Sequence, residues 1–246
     1  MKILLRALIA IVAGGGFLSG SAAAQQAAMP TADQVVSSYV KAVGGKAALE
    51  KVKSRVTKGT VDPGVGTLFT LELIEKAPDK SLSVVDVPEQ GQVKQGFDGK
   101  IAWDSTPNQG VQELSGAMLA AVRRNSQFHR WLHMKELFGK LEVAGTVKVG
   151  DRDAYVMEAT PAEGYAEKFY FDTETGLLVK RDYQLDAPGG MISFETFYED
   201  YHEVDGLKLP FTLRRVGPDN VLLLKFTEVK HNVELNDAQF AKPTTP

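Results

Sequence analysis

The sequence contains no cysteine among its 246 residues. That excludes disulfide stapling, thiol nucleophiles and a lipidated N-terminal cysteine, so stability must come from an apolar core, which a chain of this length can bury. Neither sign of charge predominates, with 28 Lys and Arg against 31 Asp and Glu. A formal net charge of −3 offers no basic footprint for nucleic acid. A Gly-x-Ser-x-Gly elbow, a glycine-rich phosphate loop, an internal repeat and a long run of like charges are all missing. The sequence therefore puts forward no catalytic set and no cofactor.

The one long apolar run, Ala7–Leu18, is too short and glycine-rich for a comfortable membrane span. Lys2 and Arg6 precede it, and Ala22-Ala23-Ala24 follows as a small-residue cleavage site. Residues 1–24 are thus expected to be a signal peptide cleaved after Ala24, leaving an exported, soluble periplasmic protein. Residues 25–30 form a short linker, and 31–246 a single domain.

Most of that domain alternates with period two between turn signals, the mark of antiparallel strands. The pattern is plainest from Lys168 to Arg215. There Asp172-Thr173-Glu174-Thr175-Gly176 suits a turn ending in a left-handed residue, a conformation glycine takes without a Cβ clash. Val204-Asp205-Gly206-Leu207 supplies a tighter turn. Strands are expected at Arg55–Val61, Thr67–Lys76, Ser81–Val87, Gln92–Phe97, Lys100–Asp104 and Gln109–Leu114. After a helical interruption they resume at Leu141–Val149, Tyr155–Thr160, either side of the 172–176 turn, Met191–Tyr201, Leu207–Arg215 and Val221–Val229. Phe97-Asp98-Gly99-Lys100 has Asp-Gly at its centre, a strong hairpin signal. The tail, Asn236–Pro246, reads as loose.

Helical spacing appears twice. Thr31 and Gln34 form a capping-box pattern ahead of Val35, Val36, Tyr39, Val40 and Val43, with a shorter helix at Lys46–Val52. In mid-chain, Ser115 can cap a helix bearing Met118, Leu119 and Val122. Ser126 can cap another that carries Phe128, Trp131, Leu132, Met134, Leu137 and Phe138 and ends at Gly139. The fold class that follows is mainly β with a few helices: a half-open antiparallel β-barrel of about 11–13 strands, wrapped over the N-terminal helix and the mid-chain insert. The insert is either a plug that fills the sheet's hollow or a lid over a hollow that accepts a ligand.

Chemistry is sparse. His129 and His133, four apart with Glu136 beyond, could share one helix face. Arg130 stands where a zincin places its catalytic Glu, and Arg123 and Arg124 would repel a cation, so no metal site is expected. Glu195, Glu199, Asp200, Glu203 and Asp205 make an acidic strand that reads as a wet face. A hydrolase built on Glu199 and His202 is one alternative function, and an envelope sensor or adaptor of the same fold is another. Arg123, Arg124, Arg130, Lys135 and Lys140 give the insert a basic cast, read as solubilising charge.

At Gly96-Phe97-Asp98-Gly99-Lys100-Ile101-Ala102-Trp103, with Glu75-Lys76-Ala77-Pro78 before it and Thr106-Pro107-Asn108 after, the chain resembles the Lol-type periplasmic lipoprotein carriers. Asp237-Ala238-Gln239-Phe240 with Pro243 resembles that family's end. Tyr170–Leu177 and Asp205–Phe211 resemble the outer-membrane lipoprotein-sorting protein-like relatives. The resemblance implies a hydrophobic concave face for acyl chains of lipids or lipoproteins, a separable cover, and an envelope membrane-protein donor or acceptor. The carriers have an Arg directly before that proline, where this chain has Ala77. Burying a 16-carbon chain gains roughly 12 kcal/mol over water at about 0.8 kcal/mol per methylene, a gain a bilayer matches. A carrier therefore shields the chain in transit rather than outbinding the membrane. Expected lining residues are Phe69, Leu71, Leu73, Val85, Phe97 and Trp103 on the strands, with Met118, Leu119, Val122, Phe128, Trp131 and Leu132 on the insert. Alternation does not say which strand face lines the hollow.

Overall fold

The computed structural model describes residues 29–187 and 190–244. The signal-peptide expectation for 1–24, and all but the end of the linker, lie outside the described residues. Thirteen antiparallel strands form one open sheet in the order β6-β5-β4-β3-β2-β1-β13-β12-β11-β10-β9-β8-β7. The first six are β1 (Ser54–Asp62), β2 (Phe69–Lys76), β3 (Lys80–Val87), β4 (Gly91–Phe97), β5 (Ala102–Thr106) and β6 (Gly110–Glu113). The rest are β7 (Lys140–Val149), β8 (Arg152–Thr160), β9 (Glu167–Asp172), β10 (Leu178–Ala187), β11 (Gly190–Val204), β12 (Leu207–Val216) and β13 (Val221–His231).

The order has a simple cause. The chain enters at the middle of the sheet, meanders out to β6, crosses to the far edge at β7, and meanders back until β13 pairs with β1. The crossing is the mid-chain insert, which therefore spans the two free edges of a half-open barrel. Each remaining connection joins neighbouring strands, and these are the short turns the sequence signals. At residues 204–207, Asp205 and Gly206 both take positive φ (52° and 77°), as a two-residue hairpin requires.

On the inner face lies α1 (Ala32–Ala42), whose capping box is complete: Gln34 N–H donates to Thr31 Oγ1, and Thr31 N–H to Gln34 Oε1. Its Val35 and Tyr39, with Val43 just beyond, pack on Phe169, Phe171 and Met157 of β8 and β9. α2 (Lys46–Lys51) follows it, and the insert holds α3 (Gly116–Ser126), a 3₁₀ turn (Arg130–Leu132) and α4 (Met134–Leu137). Val122 of α3 covers Phe97 and Ala102.

Four expectations are corrected. The helix from Ser126 to Phe138 is broken into a 3₁₀ turn (Arg130–Leu132) and the single turn of α4, and Phe128 ahead of them is held to the sheet by its N–H donating to Pro78 O at 2.9 Å. His129 and His133 consequently do not share a helical face. His129 Nε2 lies 2.9 Å from Leu49 O and 3.0 Å from Val52 O, capping α2, while His133 pairs with Glu136. The Asp98-Gly99 hairpin is a four-residue loop whose Asp98 carboxylate accepts from Lys100 and Ile101 N–H, so β5 starts at Ala102 rather than Lys100. The tail is not loose as far as Phe240. A 3₁₀ helix at Asp237–Phe240 lies on the outer face, with Phe240 fully buried against Ile74, Leu82 and Trp103.

Candidate functional site

The sheet's inner face is filled at one end and hollow at the other. Across β7–β9 the interior is solid: Trp131 stands against Tyr39, Phe169 and Phe171, with ring centroids 4.5–5.7 Å apart, and Phe138 against Phe169. Beside this aromatic block, over β1–β4, β12 and β13, lie two adjoining cavities. One of about 360 Å³ is lined by the apolar Leu73, Leu209, Leu213, Phe226 and Val229 together with polar residues that include Arg55, Glu75, Gln95 and Asn125. The other, of about 240 Å³, is lined by Tyr39, Phe128, Arg130, Trp131, Tyr198 and Tyr201 among others. Arg55, Glu75, Asn125, Leu209 and Pro210 line both, so the two cavities adjoin along these residues.

Cross-strand register builds its floor. Thr57 of β1 pairs with Leu73 of β2, Leu73 with Ser83 of β3, and Ser83 with Gln95 of β4; partners in register point to the same side. Two residues along, Arg55, Glu75, Ser81 and Phe97 make the next row. On the opposite wall, Asp200 takes a positive φ of 56°, and the register passes from Glu199–Thr212 to Tyr201–Pro210. The register is unbroken across it, and Tyr198 and Tyr201, three apart, both line the smaller cavity.

Charge enters it from two groups. At the junction of the cavities Arg55 Nε donates to Glu75 Oε2 at 2.8 Å, and the guanidinium stacks 5.6 Å from the Phe128 ring centroid. Deeper in, Arg181 grips Glu167 through Nε (2.8 Å) and Nη2 (2.6 Å), and Arg124 Nη2 lies 3.5 Å from the same carboxylate. Arg181 and Arg130 both donate to Asn125 Oδ1, at 3.0 and 3.3 Å. Burial works against the Arg181 charge, but Glu167 and nearby phenol oxygens outweigh it and raise its pKa. For Arg130 burial dominates and the neighbouring Arg181 adds to it, so its pKa is lowered. Burial likewise raises the Tyr39 and Tyr201 hydroxyls, keeping both neutral, and Tyr201 donates to Leu178 O at 2.7 Å.

Of the expected lining residues, Leu73, Phe128 and Trp131 meet in the hollow. Phe69, Leu71 and Val85 share its face, clustered with Leu213 and Phe226. Phe97, Leu119 and Val122 pack on one another where α3 closes over β4 and β5. Met118 and Leu132 line neither cavity. Trp103 is a correction. It alternates with Ala102, points to the outer face, and donates from Nε1 to Phe240 O at 2.9 Å. Sequence reasoning missed Arg55, Glu75, Asn125, Tyr198, Tyr201 and Leu213. The first two were visible as a same-parity pair on consecutive strands.

The acidic strand is taken up in separate ion pairs: Glu199 with Arg214 at 3.2 Å and His202 with Asp200 at 2.8 Å. Glu195 pairs with Lys180. Glu199 is thereby committed away from His202. Among the described residues there is no cluster of three or more metal-ligating side chains, and no helix is long and apolar enough to cross a membrane.

No family model matches the sequence, and no curated protein matches it. The fold, in contrast, is shared with solved structures. A LolA superfamily protein from Nitrosomonas europaea superposes with a TM-score of 0.59 at 14% identity, over 87% of this chain and 99% of that one. A DUF1329 family protein from Desulfovibrio piger gives 0.60 at 15% identity, over 87% and 98%. A proposed outer membrane lipoprotein-sorting protein domain from Vibrio parahaemolyticus gives 0.56 at 15% identity, over 77% and 89%. The chain has the Lol-type fold, a half-open antiparallel barrel over helices.

Proposed function

We propose that this Lol-type fold serves in the cell envelope as a binding protein that shields the acyl chain of a lipid or lipoprotein and performs no covalent chemistry. The observation that carries this is the pair of adjoining cavities between insert and sheet. The larger, about 360 Å³, lies within the range of small-molecule sites and has an apolar wall of Leu73, Leu209, Leu213, Phe226 and Val229. Removing apolar tails from water supplies the affinity, and the few polar groups at the junction of the cavities orient the ligand. Export to the periplasm belongs to the same proposal.

The insert's role divides along its length. Trp131 and Phe138 are wedged into the aromatic block and act as a plug. The stretch from Asn125 to Phe128 borders the hollow and acts as its cover. Native mass spectrometry of the protein purified from a periplasmic extract tests the proposal. A bound species with the mass of a lipid or acylated peptide is expected. Protein that emerges empty, and stays empty when mixed with lipid vesicles, ends the acyl-binding idea. A tight complex with a membrane protein and no lipid would instead establish an adaptor.

A further inference from the structure

The inner wall carries more positive charge than the fold consumes. Arg124 and Arg181 share Glu167, the buried carboxylate of the group. Arg130 has no carboxylate within 4.0 Å among the described residues; its polar partner is the Asn125 amide oxygen, already shared with Arg181. Its guanidinium sits over the Trp131 and Phe169 rings, at 5.0 and 5.5 Å, and borders the smaller cavity. Arg215 pairs with Thr196, the partner of Arg181, so it stands on the same inward-facing row, and its buried Nε has no hydrogen-bond partner. The Nε of Arg124 is likewise unpaired. Arg55 and Glu75 cancel one another and leave this surplus untouched.

Guanidinium stays charged in any protein interior, and an enclosed, uncompensated charge is costly unless something neutralises it. A shelter for neutral acyl chains alone has no use for such a cost. The two compartments differ in kind: a larger one walled by Leu73, Leu213, Phe226 and Val229, and a smaller one bordered by Arg130, Asn125, Tyr39 and Tyr198.

We infer that the hollow is built for an anionic amphiphile, its acid group (a carboxylate or a phosphate) received by Arg130 beside Asn125, and its hydrocarbon tail lying in the Leu73–Phe226 compartment. This rests on the acyl-binding function proposed above and specifies the ligand's head. A planar, enclosed guanidinium forms two parallel hydrogen bonds to either acid group, and low surrounding polarity strengthens them.

The test is titration calorimetry at pH 7.5 with four probes: palmitate and 1-palmitoyl lysophosphatidic acid below their micellar concentrations, methyl palmitate delivered from cyclodextrin, and inorganic phosphate. The two acids are expected to bind about 10- to 100-fold more tightly than the ester, the range a charge-assisted hydrogen bond supplies. Arg130→Gln should lower both acids to the level of the ester bound by the same variant, and its circular dichroism and urea midpoint, matched to the wild type, certify its fold. Arg130→Lys should recover part of the loss. Equal binding of acids and ester, or an equal fall for both in Arg130→Gln, overturns the acid-group assignment and leaves acyl binding standing. Inorganic phosphate binding as tightly as the amphiphiles overturns it in favour of a small-anion site. If no acyl probe binds, the acyl function itself falls.

Discussion

The hydroxyls of Ser81, at the start of β3, and Ser126, at the end of α3, lie 2.6 Å apart. With Phe128 N–H on Pro78 O, this contact fastens the hollow's cover to the β2–β3 turn, where the resembling carriers would place an arginine and this chain has Ala77. If ligand enters by lifting the cover, locking that contact must block exchange. The oxygens are close enough for a disulfide's 2.0 Å bond after small adjustments, and the chain holds no other cysteine. Ser81→Cys/Ser126→Cys, oxidised, is expected to take up and release a fluorescent fatty acid at least tenfold more slowly than the same protein after reduction, a conservative figure for a gated step. Equal rates in both states would make the insert a fixed plug along its whole length.

Filling the larger compartment should abolish binding without unfolding the protein. Leu73→Trp places a bulky ring among Leu213, Phe226 and Ser83, where there is room. Overpacking an occupied core costs about 1–3 kcal/mol, and less is expected where empty space takes up the added atoms. The urea midpoint should therefore move little while palmitate affinity falls by more than tenfold, about the 1.4 kcal/mol of a displaced tail segment. Unchanged affinity would place the tail elsewhere.

Much of the fold was legible because its signals are local. Turn residues at 172–176 and 205–206, the Thr31–Gln34 cap and period-two runs each decide a few neighbouring residues, and summed they give a meander. The site was less legible, since a cavity is a long-range property. Leu73 and Leu213 meet only because β1 pairs with β13, 161 to 170 residues downstream in the register of residues 58–62 with 223–228, and nothing near either strand announces that. Alternation separates the two faces of a strand but does not sign them, so Trp103 was assigned to the hollow when it anchors the tail outside. Helical spacing in the insert misled for a different reason: Phe128 is tied to Pro78 O through its N–H and His129 to Leu49 O through its ring, long-range contacts that spacing does not show.

The outer face should govern stability and leave binding alone. Phe240 is completely buried, and its carbonyl accepts from Trp103. Phe240→Ala should cost about 3–5 kcal/mol, the range for a buried aromatic truncated in place. Palmitate affinity of the folded fraction should stay at the wild-type value, because the sheet separates this cluster from the hollow. Gly96→Ala gives an independent check. A Cβ there would meet the Trp103 indole at 2.4 Å, so the variant must displace the ring and lose stability too. A loss of ligand affinity in either would show that the two faces are coupled.

Two titrations act on stability in separate pH windows. His231, buried between Arg55 and Asp205, has its pKa pulled below the ordinary 6.5, chiefly by burial and despite the Asp205 carboxylate 3.0 Å from Nδ1. The unfolded chain then takes up a proton near pH 6.5 that the native state refuses, so this contribution is whole above that value and declines as the pH drops below it. Asp237 acts lower. Hydrogen bonds from Lys76 and Lys80, at 2.6 Å each, hold its pKa at about 2 against an ordinary 3.8. Its contribution is present above 3.8 and lost as pH falls toward 2. Urea unfolding as a function of pH should therefore show His231→Gln flattening the slope as the pH falls from 6.5, and Asp237→Asn flattening it only below 3.8. If His231→Gln left the upper slope intact, the histidine would be free to protonate in place, and its burial would not be what governs it.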